Sequence, residues 1–322
     1  MRAARLVSVT SLLAALLALP AGIFAQGASA PPAPPPPQNV ILISWDGLDR
    51  SVLKELLEAG KLPNLAALIK AGSLQDIEVT GHQTETAPGH AQMLTGLGPE
   101  QSKVRGNGDY EPIPEGLTIF ERVQKQLGGP AAVATIMVMS KMGYLGGEEG
   151  EPYANARKHV SLFSAAWRLA AQTGPACLRA LEAHHAPRFL AFFHFLDTDS
   201  AGHGFGIDSD EYRKAAVDED RWLGRIVAWL KENKLDGGTL IYVTADHGFD
   251  PNGFQHHNAP HVWLATNDTR VTHGGIQADV PATILARFGV DLSKLKPKLV
   301  GSDLSQPAES PAKQPEPVGA VR

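Results

Sequence analysis

Three short apolar runs, each leading into an acid, constrain this chain more than any other feature. Asn39-Val-Ile-Leu-Ile-Ser-Trp45 ends at Asp46-Gly47. Arg188 to Phe195 runs into Asp197-Thr-Asp199. Gly238 to Thr244 ends at Ala245-Asp246-His247-Gly248. Continuous apolar and β-branched runs of this length suit strands of a parallel sheet buried on both faces. Ala131 to Met139 reads as a further strand and His261 to Thr266 as a short one. Helical periodicity fills the intervals: 49–72, divided by Pro63; 118–127; 162–184, interrupted near Gly174-Pro175; 210–234; and 280–288. The stretch 210–234 carries an apolar face of Trp222, Ile226, Trp229 and Leu230. Strands alternating with helices predict an α/β domain, a mostly parallel central sheet with helices on both faces.

In such sheets, ligands bind beyond the carboxyl ends of the strands. Asp46, Asp199, Asp246 and His247 each follow such an end, so residues far apart in sequence are expected to converge. A single Asp there also serves to start a turn; several, two with a histidine close by, point to a site. Asp199-Ser-Ala-Gly-His203 sets a carboxylate and an imidazole four residues apart, with Asp197 a rival at the same strand end. His273, in Thr272-His-Gly-Gly275, adds an imidazole, with His257 its main rival. Asp and His ligands without thiolates suit Zn²⁺ and, less specifically, Mn²⁺, Co²⁺ or Fe²⁺. The set exceeds what one tetrahedral ion takes, so two ions are expected, an arrangement suited to in-line displacement.

The segment Gly81-His-Gln-Thr-Glu-Thr-Ala-Pro-Gly-His90 carries a candidate nucleophile, Thr86. Pro88 belongs in the first turn of a helix, where its missing N–H has no partner to lose. Thr86 then stands at the positive end of that helix, which favours an alkoxide and an incoming anion. The plainer reading of Thr86 is a helix cap.

The remaining composition bounds the setting. Residues 1–30 form a basic start (Arg2, Arg5), an apolar run and small residues ending in Ala28-Ser29-Ala30, the pattern of a secretory signal peptide. Cleavage of it leaves no membrane span and predicts a periplasmic or secreted protein. Residues 31–37 are a Pro-rich linker, 38–304 one α/β domain, and 305–322 a tail expected to be disordered. The one cysteine, Cys177, excludes an intrachain disulfide. The formal charge is -5, and there is no basic stripe for stable nucleic-acid binding.

With these motifs in order, the chain resembles the alkaline phosphatase superfamily, and within it the type I phosphodiesterase/nucleotide pyrophosphatase family and its bacterial relatives. The motifs are Asp46-Gly47, Thr86-Ala-Pro-Gly-His90, Asp199-Ser-Ala-Gly-His203, Asp246-His247-Gly248 and Thr272-His273-Gly274. The resemblance implies an alkaline-phosphatase-like three-layer sandwich and a di-zinc hydrolase that passes through a covalent phosphothreonine on Thr86. It also implies that Asp199, His203 and His273 hold one zinc. Asp46, Asp246 and His247 hold the other, with Thr86 as nucleophile and ligand. His90 is expected to orient the turn after Thr86.

The departures bear on the substrate, expected to be a small phosphorylated molecule. Relatives carry an Asn where this chain has Gly89, whose backbone N–H is the donor that remains. Thr-x-Pro-Gly-His resembles certain bacterial monoesterases, which place a Lys-x-Arg pair against the phosphate. Lys141 is present here, but the arginine position is Gly143. Asn107, otherwise a turn-forming Asn-Gly, is a further pocket candidate. The balance favours phosphodiester or pyrophosphate bonds, with a phosphomonoesterase as the alternative. A sulfatase would need a Cys or Ser in a Cys/Ser-x-Pro-x-Arg motif, a context Cys177 lacks. A non-catalytic, zinc-stabilised envelope binding protein would not need Thr86.

Overall fold

A computed structural model of the chain describes residues 39–307, apart from Pro187 and Asn252. The expected leader (1–30), the Pro-rich linker and residues 308–322 of the tail lie outside the described residues. The strands are β1 (Asn39–Trp45), β2 (Ser73–Glu78), β3 (Val104–Gly106), β4 (Asp109–Tyr110), β5 (Ala134–Met139), β6 (Leu162–Ala165), β7 (Phe189–Phe195), β8 (Thr239–Thr244), β9 (His261–Thr266) and β10 (Gly275–Ile276). The α-helices are α1 (Arg50–Glu58), α2 (Pro63–Ala71), α3 (Thr86–Thr95), α4 (Pro99–Ser102), α5 (Ile119–Leu127), α6 (Ala170–His184), α7 (Asp197–Phe205), α8 (Asp210–Glu232) and α9 (Asp279–Arg287). Among the described residues, no helix is long and apolar enough to cross a membrane.

Eight strands form one sheet in the order β10-β2-β9-β8-β1-β7-β5-β6. β1 pairs in parallel with β7 on one side and β8 on the other. β9 runs antiparallel to both of its neighbours, so the sheet is mostly, not wholly, parallel. Every residue of β1 and β7 is buried, as expected for strands covered on both faces by helices. Ser44 lies in register with both His194 and Thr244. Neighbouring strands are about 4.8 Å apart, so the chain leaving β7, β1 and β8 delivers three acidic turns within about 10 Å.

The structure corrects the helix expected over 162–184. Leu162–Ala165 is a strand paired in parallel with β5, and the helix begins at Ala170. A short half-buried segment has no decisive period of its own; its pairing partner decides. Gly174-Pro175 lies inside α6 rather than interrupting it. A Cβ on Gly174 would stand 1.9 Å from the Trp222 ring, so glycine there admits the packing of α8. β2 was not anticipated at all; it is a half-exposed strand drawn in by β9.

Candidate functional site

The turn after β1 is tied down from two directions. Gly47 adopts φ +68°, and a Cβ there would meet the Phe249 ring at 2.9 Å. Its N–H donates to Asp246 Oδ1 (3.0 Å), joining the β1 and β8 turns. The Tyr212 hydroxyl, from α8, donates to Gly47 O (2.5 Å) and accepts from Asp49 N (2.8 Å). Tyr212→Phe should therefore cost about 1–3 kcal/mol of stability, because it leaves a buried carbonyl and N–H without their partner. Denaturant unfolding checks this; an unchanged midpoint would show that the turn holds itself.

The acids at the strand ends share a design in which the protein pins one atom and leaves the other bare. Asp46 Oδ2 accepts from His194 Nε2 (2.8 Å) and meets Lys141 Nζ at 2.7 Å. Asp199 Oδ2 accepts from Lys141 Nζ (2.7 Å). Asp246 Oδ1 accepts from Gly47, and His247 Nδ1 donates to Gly248 O (2.9 Å). The remaining atoms, Asp46 Oδ1, Asp199 Oδ1, Asp246 Oδ2 and His247 Nε2, are buried without a hydrogen-bond partner. From His247 Nε2 they lie 3.5, 4.0 and 3.4 Å away respectively. Ligands on one tetrahedral ion with bonds near 2.1 Å are roughly 3.4 Å apart. Buried polar atoms are otherwise nearly always satisfied, so this cluster fits a cation. Asp46, Asp199 and His247 together form one group able to hold it.

A second group combines Asp199, His203 and His256. Asp199 and His203 stand one turn apart on α7, with His203 Nε2 3.3 Å from Asp199 Oδ1. His203 Nδ1 donates to Phe254 O (2.8 Å) and His256 Nδ1 to Thr84 O (2.6 Å). In the neutral rings both Nε2 atoms are then bare acceptors, and they lie 3.1 Å apart. Two lone pairs facing at that distance require a cation between them or a proton on one. Carbonyl-fixed histidines of this kind are how metal-bound imidazoles are usually oriented.

His273, the expected last ligand, is in neither group. Its Nδ1 donates to Gly274 O (2.7 Å), and its Nε2 lies 2.6 Å from Gln306 O, so its ring tethers the C-terminal segment. The rival His257 is exposed, with its backbone N–H on Asp250. His256 stands in the second group, stacked on His247 with ring centroids 3.8 Å apart. The adjacent pair His256-His257 was visible in the sequence, but spacing does not say which ring turns inward. The rival Asp197 is used elsewhere: both its oxygens accept from Ala170 N at the start of α6, and burial raises its pKa to about 6.

Thr86 opens α3 and is 1% exposed. It is not the cap: Glu85 holds that position and makes no side-chain cap bond. Instead Asn107 Oδ1 accepts the Ala87 N–H (2.8 Å), while Glu85 Oε2 accepts the Asn107 N–H (2.7 Å). This leaves the Asn107 amide NH₂ as a donor beside the helix start. Lys141 Nζ donates to Thr86 Oγ1 (3.1 Å), so Lys141 is a buried residue and not a solvated one. Burial opposes its charge, but Asp46, Asp199 and Asp246 outweigh that and raise its pKa. Asp199 responds in kind: burial works against its charge, but Lys141 and His203 hold its pKa below the usual range.

The Gly89 expectation needs correction. Its N–H is spent inside α3 on Glu85 O (3.0 Å). A Cβ at this position would meet Asp246 O at 3.0 Å and Asp246 Cβ at 3.1 Å, so the glycine lets α3 press against the Asp246 turn. His90 sits behind, its Nδ1 donating to Thr86 O (2.8 Å) and standing 3.3 Å from Asp246 Oδ2. His194, missed in the sequence, is a histidine inside an otherwise apolar strand. Burial pushes its pKa down to about 4, and the neutral ring donates to Asp46.

The geometry thus joins a hydroxyl at a helix start, an ammonium and two cation-ready groups at one sheet edge. Comparison with known proteins identifies a matching family. The family model "Type I phosphodiesterase / nucleotide pyrophosphatase" matches residues 40–310. Mouse ectonucleotide pyrophosphatase/phosphodiesterase family member 1 is 25% identical over 257 residues, 76% of this chain. The chain spans only 28% of that relative's length. Among solved structures, a phosphonate monoester hydrolase from Silicibacter pomeroyi superposes with TM-score 0.56 at 16% identity, covering 83% of this chain and 76% of that one. The alkaline phosphatase of the Antarctic bacterium TAB5 gives 0.55 at 14%, covering 79% and 98%. The two structures share the fold, and the family match takes in all the strands and helices that build the site: the chain belongs to the type I phosphodiesterase / nucleotide pyrophosphatase family.

Proposed function

We propose that this protein is an exported, di-zinc hydrolase of phosphodiester or pyrophosphate bonds that works through a phosphothreonine at Thr86. The observation that carries the proposal is the set of buried, unpartnered ligand atoms gathered beside the Thr86 hydroxyl. Asp199, His203 and His256 would hold one ion; Asp46, Asp246 and His247, with Thr86, would hold the other. Zinc bound there supplies positive charge for the phosphoryl oxygens and lowers the pKa of a hydroxyl or water.

The chain's own residues account for the rest. Thr86 Oγ1 attacks phosphorus, and the bond to the leaving oxygen breaks in line; a water then releases the phosphoryl group from Thr86. The Lys141 ammonium donates to Thr86 Oγ1 and stabilises negative charge where the new bond forms. The amide of Asn107, its carbonyl anchored to Ala87, directs its NH₂ toward a phosphoryl oxygen. One ammonium and one neutral amide suit a diester monoanion better than a monoester dianion. The leader read in residues 1–30 supports export.

The test compares bis-p-nitrophenyl phosphate with p-nitrophenyl phosphate before and after metal stripping. Stripping should lower diester turnover by about 10³-fold or more, with zinc restoring it. Full activity without metal would sink the proposal. A strong monoester preference would reverse the substrate ranking and favour the phosphomonoesterase.

A further inference from the structure

Behind the ligand groups lie two buried histidines, His194, which holds the Asp46 carboxylate, and His90, which stands 3.3 Å from Asp246 Oδ2. His194 lies between Phe193 and Phe195 in β7 and is fully buried. Its Nε2 donates to Asp46 Oδ2 (2.8 Å). Its Nδ1 accepts from the Ser140 N–H (3.2 Å) and lies 3.0 Å from Ser140 Oγ, whose hydrogen goes to His194 O (2.5 Å). A backbone donor on Nδ1 leaves the ring proton on Nε2, aimed at Asp46. The other chain runs from Ser44 Oγ to His90 Nε2 (2.9 Å) and on toward Asp246. The two rings meet edge to face, with centroids 4.8 Å apart.

We propose that Ser140 and His194 are a positioning pair that presents Asp46 to its cation through Oδ1 alone. Asp46 Oδ2 has a hydrogen-bond donor in His194 and an ion-pair partner in Lys141. Lys141 also serves Asp199 and Thr86, so its ammonium is the donor that moves when a phosphoryl group arrives. His194 cannot follow, because Ser140 and the packing of β7 lock its ring. It keeps Oδ2 occupied and stops the carboxylate rotating. A polar ring in an apolar strand is costly to bury unless such a bond rewards it.

The proposal rests on the metal-binding reading above, and the test separates the two. Zinc affinity is measured on the full chain by competition with a chromophoric chelator, for the parent, His194→Phe and Ser140→Ala. Unfolding of the metal-free proteins is followed in parallel. His194→Phe should weaken one of the two ions by about 10–100-fold, the usual effect of removing such an outer partner, and leave the other within about twofold. Ser140→Ala should cause a smaller loss at the same ion. Cobalt spectra should change for that ion alone. Unchanged affinity for both ions in a folded His194→Phe would overturn the proposal and leave the metal reading intact. If His194→Phe fails to fold, His194→Asn, which keeps a polar group for Ser140 but has no donor at the Asp46 end, decides: parental affinity, or equal weakening of both ions, overturns it. A parent that binds no zinc overturns both.

Discussion

Thr86→Ala should reduce phosphodiester turnover by about 10⁴-fold or more, the scale on which loss of a covalent nucleophile is felt, while leaving the protein folded. The two halves of this result have separate causes. Activity falls because Thr86 carries the hydroxyl that meets the Lys141 ammonium at the start of α3. Stability survives because Thr86 is not the helix cap: the Ala87 N–H is satisfied by Asn107 Oδ1. The loss of one hydroxyl contact to Lys141 leaves that ammonium on Asp46 and Asp199. Quenched reactions of the parent should carry a phosphoryl group on the peptide containing Thr86, and those of the variant should not. Residual turnover within about tenfold of the parent would rule out the covalent route.

The second large effect separates two histidines. His256→Ala should lose one ion and more than ~100-fold in turnover, because outer-shell changes alone cost 10–100-fold and His256 offers its own Nε2. His273→Ala should retain both ions and keep its rate within about twofold, as for a substitution outside the site. His256 Nε2 faces His203 Nε2 at 3.1 Å, whereas both nitrogens of His273 meet backbone carbonyls. Metal content and kcat, measured together, check the pair. The reverse pattern would return His273 to the ligand set and require the loop carrying it to move.

Legibility varied with how local the governing interactions are. β1, β7 and β8 were plain because a strand buried on both faces must be apolar throughout. The helix 210–234 was plain because its apolar stripe repeats over several turns. β2 and β6 were not, since each is short, half-exposed and stabilised by pairing with a distant strand. The same division holds within the site. Asp199 and His203 could be paired on spacing because four residues bring side chains together on a helix. No spacing rule links His256 to them, nor His194 to Asp46.

By itself, the sequence determined the strand–helix alternation, the acids at three strand ends and the hydroxyl at the start of a helix. Each of these depends on neighbours a few residues away. The tertiary structure alone decided that Gly89 is a packing contact, that Lys141 joins Thr86 to two carboxylates, and that His256 rather than His273 faces His203. Those outcomes depend on which side-chain atoms a protein carbonyl or donor has already engaged, and only folding brings these partners from opposite ends of the chain within hydrogen-bond distance.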